Sequence, residues 1–144
     1  MAHDFKRYPE LTNSQMSFYY FDSPHQQIAE DFDARVVKVS DGDTIRVTCD
    51  FRDFDFPIRF SNIMAAELSE GGHASRDHLK RLIEGALVEV IIDKTKRVGK
   101  WGRLLARIKH KGFDVGEQMI ADGHAVGVWQ EQMGIKDLRI TLDL

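Results

Sequence analysis

Residues 34–49 read ARVVKVSDGDTIRVTC. Two runs rich in β-branched residues, ARVVKV and DTIRVTC, flank Ser40, Asp41 and Gly42. Such side chains suit a pleated, half-buried surface, and Asp-Gly between two of these runs is a strong hairpin signal. The folded core therefore opens with an antiparallel pair. Downstream, FDFPIRFSNI (54–63) reads as a third strand with Pro57 near its start, where a missing N–H is tolerated. After Gly71 and Gly72, HASRDHLKRLIEG places Leu79, Leu82 and Ile83 on one side at helical spacing, and Gly85 can end that helix. LVEVIID (87–93) alternates as a strand; GRLLARIKH (102–110) does so less cleanly, after a turn rich in Lys and Arg. DVGEQMIADG (114–123) then has Asp114 and Glu117 at capping-box spacing, Val115, Met119 and Ile120 on one face, and Gly123 at the stop.

The order β-β-β-α-β-β-α is the connectivity of the five-stranded oligonucleotide-binding barrel, whose closure leaves little exposed edge. The expected class is α+β, mainly β, with two or three helices and an irregular N-terminal arm. That arm, residues 1–33, carries Phe18, Tyr19, Tyr20, Phe21, Pro9 and Pro24 without sustained periodicity. Four neighbouring aromatics are expensive to leave in water, so they are expected to cover the core or another chain. The barrel is expected over 34–129, with 130–144 as a C-terminal tail.

At 144 residues the chain fits one domain, large enough to bury roughly two thirds of the surface of its unfolded state. With 42% hydrophobic and 30% charged residues, no apolar run approaches the ~20 residues that span a bilayer, so no membrane role is expected. The N-terminus has no apolar segment followed by a small-residue cleavage site, which predicts a cytoplasmic protein. Cys49 is the only cysteine, which excludes an internal disulfide and a multi-thiolate zinc site; it reads as a small buried hydrophobe. His73 and His78 lie off a shared helical face, and His110 and His124 have no carboxylate pairing in sequence, so no zinc site is expected.

A net charge of −3 argues against coating nucleic acid through bulk positive potential. The distribution allows a local site. DKTKRVGKWGRLLARIKHK (93–111) carries Lys94, Lys96, Arg97, Lys100, Arg103, Arg107, Lys109 and Lys111 against Asp93 alone, interleaved with Trp101, which could stack on a base. In DGDT, Asp41 and Asp43 stand two positions apart at the entrance to a strand, where a bend could bring both near one hard cation. Arg59 and Arg103 would supply guanidinium forks for a phosphate, and Glu67 a general base. Two arginines, a carboxylate base and a carboxylate that holds a cation are the parts needed for in-line attack of water on a phosphodiester.

VVKVSDGDTIRV, IRFSNIMAAE, the helix after it, VGKWGRLLARI and DVGEQMIADGHA, in this order and spacing, resemble the staphylococcal nuclease (thermonuclease) family over roughly Ala34 to Trp129. The resemblance implies an oligonucleotide-binding barrel that hydrolyses DNA and RNA with calcium and leaves 3′-phosphates. Position by position, it implies Asp43 as metal ligand, the Ala65 backbone carbonyl as a second ligand, Arg59 and Arg103 as catalytic arginines, and Glu67 as general base. Trp101 and Trp129 fall where the family packs tyrosines around the nucleotide, with Lys100 and Arg97 on the same basic segment. One departure is specific. The family pattern Asp-Thr/Ala-Pro-Glu is here Met64-Ala65-Ala66-Glu67, so a metal carboxylate is replaced by a thioether, a poor ligand for a hard cation, and Asp41 is left as a substitute. The family's long final helix would follow where KDLRITLDL ends, so the resemblance leads us to expect that helix to be missing or replaced.

The expected function is a metal-dependent nuclease with a weakened calcium site. The alternative is a catalytically degenerate barrel, a structural or nucleic-acid-binding module in a larger assembly. In that case the arm and tail would dock a protein partner, and the arm plus barrel has the look of a viral or phage component acting in host cytoplasm or virion.

Overall fold

The computed structural model describes residues 3–65, 71–99 and 102–128. In it β1 (Phe32–Asp41) and β2 (Thr44–Cys49) form the expected hairpin, with Asp41 paired to Thr44 across a turn of Gly42 and Asp43. Gly42 is there for space: a Cβ would sit 2.7 Å from the Ser75 Cβ and 2.8 Å from the Ala65 Cβ. The register shift between Val36 and Lys38 is a bulge that changes the strand's inward face, so Val36 and Val39 are buried while Val37 stays exposed.

β3 (Arg52–Phe60) follows antiparallel to β2. Pro57 lies inside this strand rather than near its start. It is tolerated because the registered pairing with β6 begins only at Ile58, which leaves that side of the strand open at Pro57. β4 (Ile63–Met64) leads toward α2 (His73–Ile83), which buries Ser75, Leu79 and Ile83 and leaves Leu82 half-buried. Gly85 at φ +82° ends the turn after α2 and donates to the Val36 carbonyl. β5 (Leu87–Ile92) runs antiparallel to both β1 and β6 (Leu104–His110). β7 (Phe113–Asp114) hydrogen-bonds to β6, and α3 (Val115–Ala121) starts at Asp114, whose carboxylate accepts from the Glu117 N–H at 2.9 Å. The Glu117 carboxylate turns to Arg107 instead, at 3.8 Å.

The sheet order is β3-β2-β1-β5-β6-β7, and parallel pairing of β3 with β6 at Ile58–Leu104, Arg59–Leu105 and Phe60–Ala106 closes five strands into a barrel. This is the expected oligonucleotide-binding type of architecture, mainly β, with β7 added to the barrel's sheet and three α-helices among the described residues. Phe56, Ile58, Phe60, Ile45, Leu104 and Ile108 fill its interior and are at most 1% exposed. Each such side chain contributes about 1.5–3 kcal/mol by leaving water. A second, two-stranded sheet pairs β4 with β8 (Val126–Gly127) and pins Met64 opposite Val126.

The arm is folded against the barrel, but through different residues from those expected. Leu11 and Ile28 enter the core, Glu10 is 1% exposed, and Gln27 holds the Leu11 N–H and the Pro9 carbonyl. The aromatic quartet forms α1 (Met16–Tyr19) and a following 3-10 turn (Tyr20–Asp22), where Phe18, Tyr20 and Phe21 are 79%, 53% and 96% exposed. They do not cover the core. No helix among the described residues is long and apolar enough to cross a membrane.

Candidate functional site

One end of the barrel gathers the turn between β1 and β2, the end of β3, β4 and the residues entering β6. The hairpin places Asp43 in that turn and Thr44 opposite Arg59 in the β2–β3 register. The Phe60 N–H donates to the Asp43 carbonyl at 2.9 Å, which ties the turn to the strand end.

Asp43 is 8% exposed and its carboxylate is almost fully engaged. Oδ1 accepts from the Thr44 hydroxyl at 3.1 Å, and Oδ2 accepts from the Ala65 N–H at 3.0 Å and faces Arg59 Nη2 at 3.3 Å. A carboxylate has about four lone-pair sites, so roughly one remains. Arg59 is held as firmly. Its Nη1 donates to the carbonyls of Phe60 and Ile63 at 2.6 and 2.9 Å, while Nη2 also reaches the Met64 sulfur at 3.0 Å. Burial pushes the Arg59 pKa below its usual value; Asp43 opposes this, Arg103 adds to it, and Asp41 again opposes it. These charges share one field. Arg103 donates to Thr44 Oγ1 at 3.5 Å, the far limit for a hydrogen bond, and is half-buried. Arg103 thus lies beside the pair without being spent on it.

The structure therefore brings together Asp43, Arg59 and Arg103, with Asp41 and Ala65 at the margin. Glu67, Lys100, Trp101 and Trp129 lie outside the described residues. Arg97 belongs elsewhere. It was expected among the nucleic-acid contacts, but it is 5% exposed. Its guanidinium donates to the carbonyls of Ile28 and Leu11 at 2.6 and 3.2 Å and to Asn13 at 3.2 Å, and it pairs with Glu10 at 3.3 Å. The physical reason is the arm, which supplies a buried carboxylate that only a cation can match. The remaining basic cluster is also divided: Lys94 faces Asp31 at 3.7 Å and Arg107 faces Asp114 at 3.2 Å.

Two contacts were not foreseen. Met64, read from sequence as an altered ligand, here caps the Arg59 guanidinium; a thioether five residues from an arginine gives no sequence signal of this. Farther away, Asp122 lies 2.7 Å from His78, whose ring stacks on His124 at 4.3 Å between centroids. That cluster joins α2 to the chain after α3. The rings stack rather than converge, and among the described residues no group of three or more His, Cys, Asp or Glu is placed to hold a metal ion.

For a hard cation, the described donors of the right kind are Asp43, Asp41 and the Ala65 carbonyl. Asp43 has little capacity to spare and Met64 offers sulfur, so the fit is partial. Compared with protein-family models and with curated proteins, the chain matches none.

Proposed function

We propose that this barrel is a nuclease that hydrolyses phosphodiester bonds of DNA or RNA, with Arg59 and Arg103 binding the phosphate and Glu67 acting as general base. The observation that carries the reading is the convergence of Arg59, Arg103 and Asp43 at one barrel end. Two guanidiniums beside one buried carboxylate make a site for a group more negative than a neutral ligand. Arg59 can reach it at small cost, because the contact it would give up is to the Met64 sulfur, a weak acceptor. Its bonds to Phe60, Ile63 and Asp43 would hold the plane of the fork in place.

In the proposed step, the Glu67 carboxylate takes a proton from water as the oxygen attacks phosphorus and the bond to the leaving oxygen breaks. The arginines carry the charge that develops on the phosphoryl oxygens, a role worth on the order of 3–4 kcal/mol per donor when the donors are preorganised. Glu67 stands two residues after Ala65 in sequence, and the Ala65 N–H is bonded to Asp43. A weakly bound calcium ion is part of the proposal: Asp43, Asp41 and the Ala65 carbonyl would hold it, and when bound it would add positive charge beside the phosphate. We place this activity in the cytoplasm, of a host cell if the chain is phage-borne.

The test is cleavage of single-stranded DNA in calcium, magnesium, manganese or chelator, with wild type, Glu67→Ala and Arg103→Ala. Loss of at least 100-fold on removal of either side chain supports the reading. Equal, inert behaviour of wild type and Glu67→Ala in every metal sinks catalysis. One observation favours a second reading, a degenerate barrel that binds without cutting: Asp43, Arg59 and Met64 already satisfy one another. The exposed Phe18, Tyr20 and Phe21 would then suit docking of a protein partner. Retained oligonucleotide binding without turnover in any metal would select it.

A further inference from the structure

The arm touches the loop that delivers Arg103 at two points. Gly102, at φ +75°, lies directly under Tyr8: a Cβ built on it would meet Tyr8 Cβ at 2.6 Å, Cγ at 3.1 Å and Cδ1 at 3.2 Å. The glycine is required both by its left-handed backbone and by the ring that fills the space of a side chain. Tyr8 is itself held in place. Its N–H donates to the Asp4 carbonyl at 2.9 Å, its carbonyl accepts from the His3 ring at 2.6 Å, and the Arg7 guanidinium lies over its ring at 5.3 Å.

The other point is Arg97, on the same connection between β5 and β6. Glu10 pairs with it, Leu11 and Asn13 accept from it, and Asn13 donates back to the carbonyls of Lys94 and Thr95 at 3.4 and 3.3 Å. The connection is closed on itself by Leu105 N–H to the Arg97 carbonyl at 2.7 Å, Gly99 N–H to the Arg103 carbonyl at 2.8 Å, and Gly102 N–H to the Gly99 carbonyl at 3.0 Å. One strap, residues 8–13, thus grips both limbs of a hairpin whose second limb carries Arg103.

We infer that Tyr8 is a positioning residue for phosphate binding: by seating its ring on Gly102 it fixes the backbone from which Arg103 reaches the phosphate. This rests on the reading of Arg103 as a phosphate ligand. An arginine side chain is long and rich in rotamers, so its usefulness at a phosphate depends on a fixed backbone at its base. Displacement of a positioning group by about 1 Å can cost on the order of 100-fold in a reaction.

The test is a double-mutant cycle on the full chain, reading affinity for a short oligothymidylate in chelator, where no turnover intrudes. Arg103→Ala should weaken binding about tenfold, the range of one charge-assisted hydrogen bond. Tyr8→Ala should weaken it several-fold alone and add nothing in the Arg103→Ala background. Tyr8→Phe, which keeps the ring, should bind within about twofold of wild type, a rescue expected of positioning through packing. Amide exchange at Gly102 and Leu105 should accelerate in Tyr8→Ala and not in Tyr8→Phe. Additive losses would make Tyr8 a direct contact and overturn the inference, as would wild-type binding by Tyr8→Ala. If Arg103→Ala binds like wild type, the phosphate reading fails; unchanged exchange in Tyr8→Ala would separately remove the brace.

Discussion

Met64 decides how Asp43 is used. With sulfur against Arg59 Nη2 at 3.0 Å, Arg59 keeps one charged partner, Asp43, and Asp43 keeps about one free lone pair. Replacing the thioether by a carboxylate changes both terms: Arg59 gains a competing anion, and the pair of carboxylates becomes a better cage for calcium. Met64→Asp is therefore expected to make stability depend on calcium where wild type responds weakly. At an excess of about 100 times Kd the ion would add about 2.7 kcal/mol, a rise in Tm on the order of 5–10 °C for a domain of this size. Thermal unfolding of both proteins with and without calcium measures it. An equal response would mean that position 64 does not face the cation site.

Between α2 and the residues following α3, the stacked rings of His78 and His124 and the Asp122 carboxylate form a pH-sensitive contact. Burial lowers the His124 pKa from its ordinary 6.5; the charge on His78 adds to this, Asp122 opposes it, and Arg81 adds slightly. The unfolded chain then binds more protons than the folded one just below pH 6.5, so stability falls as pH drops through that value. The Asp122 carboxyl is held below 3.8, chiefly by the hydrogen bond from His78, so its contribution is lost only on further acidification, below about pH 4. His124→Gln should remove the first loss and keep the second. Urea midpoints of the two proteins between pH 7 and 3 check this; parallel decline between pH 7 and 5 would assign the dependence to other groups. The Ser75 hydroxyl bonds the His124 backbone carbonyl at 2.8 Å, a contact the substitution leaves in place. These elements also mark what sequence could tell. The five barrel strands, the ends of α2 and α3 and the Asp114 cap were legible because each is written in local periodicity or in one turn residue. The pairing of Asp43 with Arg59 was legible only as parts, since their closure depends on Ala65 and Met64 offering an N–H and a sulfur. The stack of His78 on His124 was not legible: 46 residues separate rings that only the packing of α2 brings together.

For the molecule as a whole, a buried charge cluster joins arm to barrel. Glu10 is 1% exposed and lies between two guanidiniums, Arg52 Nη2 at 2.5 Å and Arg97 Nη2 at 3.3 Å, with the Ile28 N–H also on its Oε2. Arg52 further donates to the Gln26 carbonyl and lies over the rings of Phe54 and Phe56 at 5.1 and 4.5 Å. Charges this deep are costly to bury, and their attraction offsets that cost only while all partners are present. Glu10→Gln keeps the shape and leaves two buried cations without an anion, so it is expected to cost about 3–5 kcal/mol. Against the 5–15 kcal/mol that typically holds a domain folded, this is a large part, a drop in Tm on the order of 10–15 °C. The control is Arg46 with Asp55, an ion pair at 3.1 Å whose side chains are 37% and 47% exposed. Screened by water, it should contribute under about 1 kcal/mol, so Asp55→Asn should unfold within a few degrees of wild type. Calorimetry of the three proteins compares the two directly. A Glu10→Gln protein as stable as Asp55→Asn would mean that apolar contacts of Leu11 and Ile28 hold the arm and that the buried charges merely accompany them.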